Sequence, residues 1–106
     1  MTIAHNKLVR DRIPEIIEQS GKTCTTRILT EAEYLAALDA KLQEELEEYQ
    51  ADKSMEELAD LLEVMMAVCE ARGYTFAEVE AIRRRKAEER GGFSDRIWLE
   101  SVQASD

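Results

Sequence analysis

Leu42-Gln43-Glu44-Glu45-Leu46-Glu47-Glu48-Tyr49, followed shortly by Glu56-Glu57-Leu58-Ala59-Asp60-Leu61-Leu62-Glu63, is the stretch whose reading decides the fold. Each block carries leucines at helical spacing and an acidic pair three residues apart. On a helix, positions i and i+3 project from one side, about one turn apart. Two such helices packed face to face would gather four carboxylates. Four carboxylates that close cannot all stay ionised unless a cation sits among them or water reaches them. The pattern therefore points to a divalent-metal site held between two helices.

Working outward, three helix starts share one signature. Thr30-Glu31-Ala32-Glu33, Ser54-Met55-Glu56-Glu57 and Thr75-Phe76-Ala77-Glu78 all read as capping boxes. They predict helices over 31–52, 55–72 and 76–90. Gly73 and the Gly91-Gly92 pair are C-terminal stops for the second and third. The short connections predict antiparallel neighbours, so the expected fold is an all-α antiparallel helical bundle. Pro14 suits the first turn of a short helix near 13–20, with Ile13, Ile16 and Ile17 on its apolar face and Gly21 past its end. Residues 1–12 read as an extended arm or loop, and Thr23 to Leu29 as a short extended segment too weak to build a sheet on. No linker separates a second domain: 1–30 is an arm with a short helix, 31–90 three core helices, and 91–106 a tail. Phe93, Ile97, Trp98 and Leu99 make that tail apolar enough to pack on the bundle, while 103–106 are expected to fray.

Helical angles sort the acids. At about 100° per residue, Leu35, Leu38, Leu42, Leu46 and Tyr49 form a stripe centred on Leu42. Glu45 falls about 60° to one side and Glu48 about 120°, whereas Glu44 and Glu47 turn to the far, solvent face. Glu45 and Glu48 thus line the edge of an interface. The alternative is a solvated acidic face with i, i+4 pairing, Lys41 to Glu45 for instance. The second helix is apolar around most of its circumference. Leu58, Leu61, Leu62, Met65, Met66, Val68 and Cys69 form a broad face, and Val64, Ala67 and Ala71 a narrower one. Such a helix is central in its bundle, and Cys69 is expected to be a buried thiol. Glu57 and Asp60 lie on the narrower face. Glu57 has a competing reading as the third residue of a capping box with Ser54. Asp60 has none, and aspartate is a poor residue for a helix interior. Glu63 reads as a solvated glutamate, with a further ligand or an acid supporting the ligands as the alternative.

The third helix ends in Arg83-Arg84-Arg85-Lys86-Ala87-Glu88-Glu89-Arg90, the one dense basic run in a chain of net charge −9. Cations there suit the negative end of the helix dipole. Lys86 and Arg90 also share a line with Val79 and Ile82, so they are expected on the packing side, where they suit a phosphate chain held beside a metal.

The totals exclude several classes. The acidic balance argues against nucleic-acid and anionic-membrane partners, but not against an anionic substrate brought in by a metal. His5 is the lone histidine, and Cys24 and Cys69 form no Cys-x-x-Cys pair, so a zinc site is not expected. No signal-peptide pattern and no membrane-span-length apolar run is present, and cytoplasmic residence is the expectation. Aromatic residues are only 6% of the 106, so a lone copy would bury few large rings and self-association is expected to complete the core.

Together these blocks resemble the all-α nucleoside triphosphate pyrophosphohydrolases, the MazG-like and phosphoribosyl-ATP pyrophosphohydrolase-like group. The metal motif of that group is Glu-x-x-Glu followed by Glu-x-x-Asp on the next helix, matched here by Glu45-x-x-Glu48 and Glu57-x-x-Asp60. The opening Lys7-Leu8-Val9-Arg10-Asp11-Arg12-Ile13-Pro14 and the close Lys86-Ala87-Glu88-Glu89-Arg90-Gly91-Gly92-Phe93 resemble one MazG-related subgroup. The likeness extends over nearly the whole chain.

The resemblance implies Mg²⁺, or Mn²⁺, and a helical bundle completed as a homo-oligomer, dimer or tetramer. It implies hydrolysis between the α- and β-phosphates of a nucleotide substrate to a monophosphate and pyrophosphate. Glu45, Glu48, Glu57 and Asp60 become metal ligands, with Glu45 or Glu48 orienting or deprotonating the attacking water. Lys86 and Arg90 become phosphate contacts, and Lys7 and Arg10 further substrate contacts. The choice of nucleotide does not carry over. The alternative from another class is a non-catalytic oligomeric helical module that binds a nucleotide or protein partner.

Overall fold

Thr30, Ser54 and Thr75 each start a helix, as their capping signatures require. In the computed structural model, which describes residues 1–104, the helices are α1 (Ile13–Gln19), α2 (Glu31–Asp52), α3 (Met55–Ala71) and α4 (Phe76–Arg90). No strand occurs among the described residues, so the chain is all-α. Residues 105 and 106, and with them part of the end expected to fray, lie outside the described residues. Thr30 makes a complete capping box: its Oγ1 accepts the Glu33 N–H at 3.2 Å, and the Glu33 carboxylate accepts the Thr30 N–H at 3.0 Å. Ser54 Oγ accepts the Glu57 N–H at 3.3 Å, and Thr75 Oγ1 that of Glu78 at 3.1 Å. α3 and α4 stop before Gly73 and at Gly91, whose φ values of 83° and 84° suit glycine and disfavour any residue with a Cβ.

The chain forms two compact units, Met1–Tyr74 and Thr75–Asp106. In the first, α2 and α3 pack along one another. They are joined through Lys53 and Ser54, with Lys53 in the left-handed region at φ 57°. At the other end Arg72 Nη2 meets Asp39 Oδ2 at 3.3 Å. Turn at one end and ion pair at the other make α2 and α3 a hairpin of opposed helices. Leu38, 3% exposed, and Val64 are its buried apolar residues, with Leu42, Leu61, Ala67 and Val68 half-buried around them. Residues 1–10 have no regular secondary structure, as expected of an arm, and Leu8 is the one residue among them that is partly covered. The segment from Thr23 to Leu29 is likewise irregular rather than a strand.

In the second unit, Val79, Glu80 and Ala87 are the partly covered positions of α4. The tail departs from expectation: Phe93, Ile97, Trp98 and Leu99 are all exposed, Trp98 at 86%. Beyond Gly91 the chain enters a turn and no further helix. Phe93, Ile97 and Trp98 line a shallow hollow of the tail's own turn, which leaves them open to water.

The faces of α2 and α3 also differ from a simple leucine reading. The covered residues of α2 are Tyr34, Leu35, Ala37, Leu38, Lys41, Leu42, Glu44, Glu45 and Tyr49. Their arc centres near Glu45, about 60° from the Leu42-centred stripe. Leu46 falls outside it and is exposed. α3 turns its narrower face inward, with Val64 buried and Ala67 and Ala71 partly covered, whereas Leu58, Leu62, Met65 and Met66 of the broad face are exposed. Cys69 is accordingly only half-buried, not a core thiol. Small residues such as those at 67 and 71 suit a helix face turned to a neighbour, since they permit closer packing than leucine and methionine do.

Candidate metal centre

Glu45 anchors the site. It is 6% exposed, the one buried charged residue among the described residues, and it belongs to two clusters of carboxylates. In the first, one oxygen each of Glu45, Glu57 and Asp60 lies within 4.8 Å of the others; in the second, the same holds for Glu44, Glu45 and Glu48. The hairpin produces this directly. Glu45 and Glu48 sit one turn apart late in α2, Glu57 and Asp60 one turn apart early in α3, and the tight Lys53-Ser54 link sets those turns side by side.

The four sequence-predicted acids therefore converge on one end of the hairpin, with Glu45 common to both clusters. Glu44, expected on the solvent face, is half-buried and joins them. Two basic residues pair with these acids, one of them expected only as a substrate contact and the other only as an i, i+4 partner. Lys41 reaches Glu44 Oε2 at 3.3 Å and Glu45 Oε1 at 3.2 Å. Arg10, considered for substrate, places Nη2 at 2.7 Å from Asp60 Oδ1. The Lys41 pair has a sequence signal in its i, i+4 spacing. The Arg10 pair has none, because its partners are 50 residues apart.

Charge is under-compensated. Oε2 of Glu45 and Oε2 of Glu57 are both shielded from water and have no hydrogen-bond partner. A buried carboxylate oxygen left unpaired is costly, and a cation is the usual remedy. The Glu57 carboxyl is held above the ordinary carboxylate range, first by burial and then by the charge of Asp60. Glu48 is raised too, first by a hydrogen-bonding interaction with Glu45, then by the charge of that same neighbour. The capping alternative for Glu57 is spent only in part. Its backbone N–H serves Ser54, but its carboxylate Oε2 is unpartnered, unlike the Glu33 side chain, which completes its box.

These donors fit a hard divalent cation. All are carboxylate oxygens, which Mg²⁺ and Mn²⁺ accept and soft metals do not favour. The orphaned oxygens of Glu45 and Glu57 are the positions such an ion would satisfy.

Lys7 lines a groove of about 310 Å³ between the arm and α2, with Asn6 and Leu8 on one wall and Ala37, Ala40, Lys41 and Glu44 on the other. Lys86 and Arg90, described within the second unit, are exposed, not on the covered side of α4 as their spacing with Val79 suggests. In the same basic run Arg83 is taken up by Glu80, with Nε at 2.9 Å from Oε2.

No protein-family model matches the chain, and no solved structure matches it. An uncharacterised protein of Mycolicibacterium smegmatis (strain ATCC 700084 / mc(2)155) is 60% identical over 45 residues, covering 42% of this chain and 46% of its own length. The match thus takes in less than half of either protein. No helix is long and apolar enough to cross a membrane among the described residues.

Proposed function

We propose that the protein is a metal-dependent nucleotide pyrophosphohydrolase of the MazG-like group, cleaving the α–β phosphoanhydride of a nucleoside triphosphate or related nucleotide. The observation that carries this reading is Glu45: an almost fully buried carboxylate with one unpartnered oxygen, clustered with Glu57 and Asp60 from the facing helix. A structural ion pair needs no such surplus of acids. The ordered set Glu45-x-x-Glu48 and Glu57-x-x-Asp60 supports it from the sequence side.

Glu45, Glu57 and Asp60 would hold Mg²⁺ or Mn²⁺, with Glu48 at the open edge. When bound, the ion supplies charge for the substrate phosphates and makes a water more acidic. Glu48 is exposed at the edge of the cluster, and it or Glu45 would orient that water or take its proton. Water would add across the α–β anhydride, breaking one phosphorus–oxygen bond to the bridging oxygen, and the products would be a nucleoside monophosphate and pyrophosphate. Glu45, fixed by Lys41 and buried, orients the site and does not exchange with solvent.

We further read the exposed broad face of α3, with Leu58, Leu62, Met65 and Met66, as the surface through which copies associate into a larger antiparallel bundle. The two free thiols suit the reducing cytoplasm in which a nucleotide substrate would be met.

The test is pyrophosphate release from a panel of nucleoside triphosphates and phosphoribosyl-ATP, with Mg²⁺ and with chelator. Metal-dependent release with monophosphate as co-product is expected. Silence across the panel on folded, metal-bound protein would favour a binding module that uses the same acids.

A further inference from the structure

The two clusters are compensated unevenly, and that unevenness has a use. Lys41, which pairs with Glu45, comes from the same helix one turn away. Arg10, which pairs with Asp60, comes from an arm without regular structure. Both side chains of the Arg10–Asp60 pair keep contact with water, at 56% and 42% exposure. An exposed ion pair of this kind is weak and readily exchanged. Yet the acid it neutralises is one of the three whose oxygens converge within 4.8 Å, beside two oxygens that have no partner at all.

We propose that Arg10 is the site's resident counter-cation, and that a divalent cation and the N-terminal arm compete for Asp60. The inference rests on the metal reading given above. A guanidinium 2.7 Å from Asp60 Oδ1 occupies that oxygen's approach and places a positive charge at the edge of the cluster. A dication reaching the same three carboxylates is repelled by it and needs the oxygen it holds. Binding at one therefore weakens binding at the other, and by linkage the effect is reciprocal. The arm has little else to hold it. Leu8 is the only residue of 1–10 that is partly covered, and the groove its neighbours form with α2 is open. Loss of the Asp60 contact thus releases the arm's main polar anchor. Metal binding is converted into freedom of residues 1–9, the part of the arm ahead of the turn into α1.

Two readouts on the full chain test this, neither of them turnover. Mn²⁺ is titrated by calorimetry into wild type, Arg10→Gln and Arg10→Lys. Arg10→Gln is expected to bind up to about fivefold more tightly, the gain available from removing an exposed competing charge, and Arg10→Lys to stay near wild type. Trypsin cleavage after Lys7 is then followed with and without Mn²⁺. In wild type, cleavage should quicken on adding the ion; in Arg10→Gln it should be fast in both conditions. Mn²⁺ binding with equal affinity in all three proteins, or an arm that stays equally protected when the ion binds, overturns the competition and leaves the metal site standing. No Mn²⁺ binding to any of them overturns the metal reading and this inference with it. Circular dichroism of each variant confirms that the exposed substitution leaves the helices intact.

Discussion

Lys41 Nζ lies 3.2 Å from Glu45 Oε1 on the same helix, while the other oxygen of that carboxylate has no partner. The ammonium is mostly covered, and burial alone would lower its pKa. Glu45 and Glu44 outweigh that burial and hold it above its ordinary value. The i, i+4 pair and the metal-ligand reading were alternatives in the sequence. In the structure one oxygen of the carboxylate serves the i, i+4 pair and the second has no partner.

Lys41→Met should therefore destabilise the metal-free protein by about 1–3 kcal/mol, since it strands a buried carboxylate. Added Mg²⁺ should return much of that loss if the ion takes up the charge. Urea denaturation with and without Mg²⁺ measures both. An unchanged midpoint without metal would show that Lys41 does not support Glu45.

Glu57→Gln should act in the opposite sense. Glu57 is crowded by burial and by Asp60, and its carboxyl is raised, so removing its charge relieves the metal-free protein. The expected result is a higher Tm in chelator and a smaller Mg²⁺-induced rise than wild type shows. A Tm that falls in chelator would mean that Glu57 is engaged structurally.

Asp60→Asn should keep the helices and lose pyrophosphate release by about a hundredfold or more, the scale on which single electrostatic groups act at active sites. Wild-type rates in that variant would remove Asp60 from the site.

Acid should weaken the start of α2. Glu33 is held down to about 2, first by its hydrogen bond from Arg27, then by the Thr30 backbone. A carboxyl lowered on folding contributes stability that is complete above its unfolded value of 4.5 and is lost as pH falls toward about 2. Glu33→Gln should flatten the decline of Tm over that window, and salt should reduce the difference because the group is exposed. Parallel profiles for the two proteins would count against the assignment.

Leu62→Glu addresses the exposed face of α3. If copies associate there, a charge placed among Leu58, Met65 and Met66 should lower the mass seen by light scattering. An unchanged multimer would locate the interface elsewhere.

Helix positions were legible from residues a few places apart. Thr30 with Glu33, Ser54 with Glu57 and Thr75 with Glu78 set the starts of α2, α3 and α4, and each observed helix begins where its box predicts. Such signals are local, because a cap closes within one turn of backbone. The acid pairs Glu45-x-x-Glu48 and Glu57-x-x-Asp60 were legible for the same reason. Which way each helix turns depends on what lies across from it. The packed arc of α2 centres about 60° from Leu42, which buries Glu45 with Leu38 and leaves Leu46 outside. The exposed Trp98 in the tail and the pairing of Arg10 with Asp60 have no local signal either. By itself the sequence determined the helices and which acids share a turn. Tertiary structure decided which of those acids is buried and that Arg10 answers Asp60, because burial and long-range pairing are properties of two surfaces meeting, and a single segment holds only one of them.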